Sequence, residues 1–106
     1  MAGAKLVVLY PPPKDVAAFE KVYMEEHVPM AIAKLAGKTK MVASKILWPN
    51  GKSPFYRVAE VHFPSMEVLQ QCAESAGGKE TLANAAKISS GGPPVIMIAE
   101  EDTFTF

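Results

Sequence analysis

The 106-residue sequence contains a single cysteine, Cys72, so no internal disulfide can form. A disulfide scaffold is excluded, and the chain suits a reducing cytoplasm. Nor is there an excess of charge, because eleven basic side chains balance eleven acidic ones. Binding along a phosphate backbone needs clustered Lys and Arg. Only Lys34, Lys38 and Lys40 gather at all, around a helix end, so nucleic acid is not an expected partner. Apolar runs fall far short of the ~20 residues that span a bilayer. Met1 to Ala4 also lacks a charged stretch leading into a long apolar one. The expectation is a cytoplasmic protein without a membrane partner.

Cofactor motifs are missing too. The glycine pairs Gly77-Gly78 and Gly91-Gly92 fit neither the dinucleotide fingerprint nor the phosphate loop. Zinc asks for three or four Cys, His or carboxylate ligands at recognisable spacing. His27, His62 and Cys72 offer none, so no metal and no cofactor are expected. Cys72 reads as a buried structural thiol.

What the sequence does have is enough apolar material, 49% of residues, for one core in a single domain over 1–106. Leu6 to Tyr10 is a β-prone run, ended by Pro11-Pro12-Pro13, which cannot donate to a sheet ladder. Asp15 is placed to cap a helix. Val16, Phe19, Tyr23, His27 and Met30 step by threes and fours and share one face of it. Pro29 removes an N–H and crowds the carbonyl of Glu25, so this helix should kink or end near His27.

Thr39–Trp48 and Phe55–Phe63 read as two strands joined by the turn Pro49-Asn50-Gly51, an antiparallel hairpin. Ser65 is a plausible cap for a helix over 66–75, interrupted at Gly77-Gly78 and resumed over 81–88. Val95–Ala99 is a fourth strand. Thr103–Phe106 alternates polar and aromatic residues, like a short extra strand or an arm. The order is βαββαβ, the split βαβ plan: an α+β, ferredoxin-like domain with a four-stranded antiparallel sheet. Helices cover one face of such a sheet. A second copy is the simplest cover for the other, giving a homodimer in the form of a dimeric α+β barrel, with Phe104 and Phe106 across the interface.

His27 is the main candidate for chemistry. It is the one imidazole on an apolar stripe, and it exchanges protons near neutral pH. Tyr23, one turn earlier on the same face, offers a hydroxyl to a carbonyl or phenol oxygen. Tyr10 ends the first strand, where it can line a pocket mouth. On the third strand, His62 shares a face with Tyr56, Val58 and Glu60, opposite Arg57, and a His62–Glu60 pair is conceivable. Trp48, at a strand end, reads as a pocket wall or a core anchor. The bland alternative makes each of these a packing residue.

The stretch Leu-Tyr-Pro-Pro-Pro-Lys-Asp, followed by Phe19, Tyr23 and Glu26-His27-Val28-Pro29-Met30, resembles the EthD family of small dimeric α+β barrel proteins. The His-x-Pro pair is its most specific part. The resemblance implies a ferredoxin-like fold, a homodimer, and a pocket between the first helix and the sheet. It also implies small-molecule chemistry of degradative or polyketide type, including cofactor-free isomerases, cyclases and oxidoreductases. The expected function is therefore a cofactor-free enzyme using His27 on an aromatic, lactone or ketone-like substrate, with Tyr23 as its catalytic neighbour. Substrate contacts would come from Tyr10, Trp48, Tyr56 and His62. The alternatives are a non-catalytic binding or accessory protein for a hydrophobic small molecule, and a purely structural dimer.

Overall fold

A computed structural model describes residues 3–47 and 53–106. The elements are β1 (Ala4–Tyr10), α1 (Val16–Val22), a π-helical turn (Tyr23–His27), α2 (Val28–Lys34), β2 (Lys40–Lys45), β3 (Arg57–Phe63), α3 (Met66–Glu74), α4 (Ala76–Ile88) and β4 (Val95–Glu100). The four strands form one antiparallel sheet in the order β2-β3-β1-β4. This is the ferredoxin-like arrangement that the element order predicts. No helix among the described residues is long and apolar enough to cross a membrane.

Strand alternation decides what each sheet face carries. Ala4, Leu6, Val8 and Tyr10 of β1 point to the helices, paired in register with Phe63, Val61, Ala59 and Arg57 of β3. They pack on Phe19, Tyr23, Ala31, Leu35, Leu69, Cys72, Ala85 and Ile88 in one core. The opposite face carries Lys5, Val7, Val58, Glu60, His62, Val95 and Met97, with no helix over it. At the β4 edge even the helix side is open: Ile96 and Ile98 are 43% and 50% exposed.

Both predicted caps form. Asp15 accepts the Ala18 N–H at 3.0 Å, and Ser65 accepts that of Val68 at 3.2 Å. The first helix departs from expectation at Pro29. It neither ends nor breaks there but widens. The Val28 N–H reaches back five residues to the Tyr23 carbonyl, and Pro29 falls in the first turn of α2, where a missing N–H costs nothing. The extra residue in that turn rotates the remainder of the helix. Ala31 and Leu35 take the inward positions that the regular stripe would have given to Met30, while Val16 at the start is half exposed.

Three further expectations are corrected. The break between α3 and α4 lies at Ser75, whose extended backbone and hydroxyl cap the Gly78 N–H; the glycines are inside α4. Regular pairing in β3 starts at Arg57, so Tyr56 leaves the alternation and meets Phe19 on the helix side, away from the His62 face. Residues 103–106 form no strand, which leaves the expected alternative of an arm, and Phe104 and Phe106 are exposed. Trp48 and the turn at 49–51 lie outside the described residues.

Candidate active site

The site grows from β1 and the π turn. In the widened turn, residues four apart lie nearly above one another, and the Tyr23 and His27 rings stack at 5.7 Å with 22° between their planes. Phe19 stacks on the other side of Tyr23 at 5.4 Å. Tyr10, the last residue of β1, meets all three rings edge-on, with centroids 5.4 to 6.3 Å away. Such edge and stacked contacts add to the burial that four rings supply.

His27 is buried, and both of its ring nitrogens are engaged. Nδ1 lies 2.7 Å from Asn84 Oδ1 on α4, and Nε2 lies 3.3 Å from the Tyr10 hydroxyl. Burial pulls the His27 pKa below its ordinary value, and the Asn84 hydrogen bond opposes part of that. Burial also pushes the Tyr10 phenol far up. The resting site is therefore neutral: an uncharged imidazole between a protonated phenol and an amide.

This shift predicts a pH dependence of stability. Below its ordinary pKa of 6.5 the unfolded His27 binds a proton that the folded one does not. Stability is complete above that value and falls as pH drops towards the lower folded pKa. Unfolding midpoints measured from about pH 8 to about pH 5 should fall for the wild type and fall less for His27→Gln. Equal slopes would refute the shift.

A narrow cavity runs beside the imidazole. Leu6, Val8, Tyr23, His27, Ala31, Met41 and Val61 are among the residues that line it. Its enclosed space is about 30 Å³, room for about one water molecule. No Lys, Arg, Asp or Glu lines it. Thr81, one of the few polar liners, spends its hydroxyl on the Gly77 carbonyl at 2.7 Å. A second polar group borders the aromatic stack. Arg57 is buried, bonds Glu20 in a two-pronged pair at 2.8 and 3.1 Å, and places its guanidinium 5.0 Å from the Tyr23 ring centre. That pair holds the Glu20 carboxyl below the usual range.

No family model matches the sequence. A crystallised EthD family protein from Bacillus halodurans is 34% identical and superposes with a TM-score of 0.85, over 96% of this chain and 100% of that one. The chain belongs to the EthD family. This EthD chain is also 29% identical, over 92% of its length and 94% of the relative's, to an uncharacterised 11.0 kDa protein of Rhodococcus erythropolis from the thcB-thcC intergenic region. Two more distant structures share the fold. One is a dimeric protein of unknown function and ferredoxin-like fold from Bacteroides fragilis, 14% identical with a TM-score of 0.62, over 95% of this chain and 96% of that one. The other is SnoaB of Streptomyces nogalater, described as a cofactor-independent oxygenase. It is 12% identical with a TM-score of 0.61, over 98% and 95% of the two chains.

The EthD fold brings Tyr10, Tyr23 and His27 together, although Tyr10 stands behind the imidazole and is not in the cavity wall. Tyr56 reaches only the edge of the aromatic stack, 6.0 Å from Phe19. His62 is on the other sheet face, where its Nδ1 lies 3.0 Å from Glu101, while Glu60 bonds Lys5 at 2.7 Å. The conceivable His62–Glu60 pair does not form. Asn84 and the Glu20–Arg57 pair were not singled out from sequence. Asn84 carried a signal: an amide in mid-helix, where its propensity is poor, next to inward-facing Ala85.

Proposed function

We infer that this EthD chain is a small-molecule enzyme in which His27 gives or takes a proton on an aromatic, lactone or ketone-like compound, without a cofactor. The observation that carries the reading is a buried, neutral imidazole on the wall of an otherwise apolar cavity, oriented by two hydrogen-bonding side chains. An imidazole held neutral near physiological pH suits general base work. Tyr23, stacked on it and lining the same cavity, positions the ring and offers the cavity an oxygen. The fold shared with a cofactor-independent oxygenase is in keeping with this reading.

A second copy is proposed to cover the uncovered sheet face, where Val42, Val95 and Met97 are 38%, 40% and 45% exposed. Both imidazole nitrogens are already bonded, which favours one alternative: a carrier that holds a hydrophobic compound without altering it. Turnover separates the two. On an identified substrate His27→Ala should lower the rate about 10²–10⁴-fold, the usual contribution of a general acid or base. Full turnover in that variant removes the proton-transfer role. Saturable binding of a ligand recovered unchanged favours the carrier.

A further inference from the structure

The two edges of the sheet differ in how they are guarded. Edge strands expose unpaired N–H and C=O groups, and charge, proline or a bulge usually keeps other strands away. β2 carries Lys40 and Lys45. From Val95 to Ala99, β4 carries no charge and no proline, and its register with β1 runs without a bulge. Among the described residues, β1 is its one strand partner. Ile96 and Ile98, two residues apart, are about half exposed on the helix side. A second copy on the opposite face would cover Val95 and Met97 and leave this pair bare.

The chain carries a segment that matches the pair. In the arm after β4, Phe104 and Phe106 are 76% and 114% exposed. Once extended, that segment puts both rings on one face, at the same two-residue spacing as Ile96 and Ile98. Aromatic beside β-branched is a favoured cross-strand pairing. The arm cannot serve its own β4. The Glu101 N–H still bonds the Gly3 carbonyl at 2.8 Å, so a return would have to turn at Asp102-Thr103. Tight hairpin turns call for glycine at a positive φ, which β-branched Thr103 resists. A longer turn would consume the residues that remain.

We propose that the arm of a second copy lies along β4 as an added strand, with its Phe104 and Phe106 seated on Ile96 and Ile98, and that the exchange is mutual. Thr103 and Thr105 then take the other face of the added strand. Four phenylalanine rings bury about 600–1,000 Å² between two chains. Stable interfaces bury about 1,200–2,000 Å², and the open sheet face supplies the rest. The same contact pairs the free backbone groups of the β4 edge. It does not depend on the role of His27.

Isotope-filtered NOE spectra of the full chain test this. Chains deuterated except at ¹³C-labelled isoleucine methyls are mixed with unlabelled chains and allowed to exchange, so any ring-to-methyl NOE crosses between copies. Ile96→Val and Ile98→Val assign the methyls. NOEs from phenylalanine rings to both methyls are expected, and the double substitution Phe104→Ser, Phe106→Ser should abolish them. Sedimentation equilibrium should show that variant associating at least about 100-fold more weakly, while Thr103→Ser changes little. Absence of the NOEs between chains, or association unchanged in the double variant, overturns the proposal. A chain that sediments as a monomer throughout does the same and leaves the β4 edge to a different protein.

Discussion

Gly78→Ala is expected to destabilise the chain by about 3–5 kcal/mol, the top of the range for single substitutions. A Cβ at this position would stand 1.9 Å from the Cys72 carbonyl oxygen and 2.9 Å from its carbon. Both are backbone atoms and cannot swing aside. The contact exists because α3 and α4 meet at a corner of one residue, Ser75, whose hydroxyl caps the Gly78 N–H at 3.0 Å. Gly77 is tight in the same way, with a Cβ 2.5 Å from the Lys34 carbonyl oxygen of α2. The first turn of α4 is thus wedged between two helix ends, and α4 carries Asn84. Urea unfolding measures the loss. Lys79→Ala, exposed on the next residue, should stay within about 0.5 kcal/mol of wild type. A Gly78→Ala chain as stable as that control would contradict the close approach.

Glu20→Leu should cost about 3 kcal/mol. The Arg57 side chain is 8% exposed and Glu20 is 22% exposed, so the substitution strands a buried cation. The value is at the lower end of the usual range because Glu20 is partly open to solvent, and Lys45, 3.6 Å from it and half exposed, loses little with it. Pairing the change with Arg57→Met should recover most of the loss, since an apolar pair of similar volume needs no countercharge. A double-mutant cycle in urea reads this directly. A single substitution costing under about 1 kcal/mol would mean that water already reaches the guanidinium. The pair matters to the site because Arg57 sits over the Tyr23 ring that backs His27.

Much of the architecture was legible because it depends on short-range pattern. Prolines 11–13 end β1, Asp15 and Ser65 cap helices, and the two-residue alternation of β3 separates Arg57 from His62. His27 and Tyr23 were legible for the same reason, as neighbours on one helical stripe. Asn84 was not, because its meeting with His27 joins residues from two helices far apart in the chain, and only tertiary packing sets that distance. Glu20 and Arg57 likewise read as ordinary charges until a helix and a strand face each other. Tyr56 departs from its expected face because β3 begins at Arg57, two residues later than the alternation suggests. The glycines of α4 looked like helix breakers, whereas their lack of a side chain serves close approach.

The π turn also absorbs one residue that a regular helix would not need. Were the turn to close regularly with every residue kept, each position beyond it would turn by about 100°. Ala31 and Leu35 would then leave the interior, and Met30 would swing towards it. Removing one residue from Met24–Glu26 would instead let the helix close regularly with Ala31 and Leu35 still inward. Relatives one residue shorter between the equivalents of Tyr23 and His27 should therefore carry a regular first helix with the same buried face.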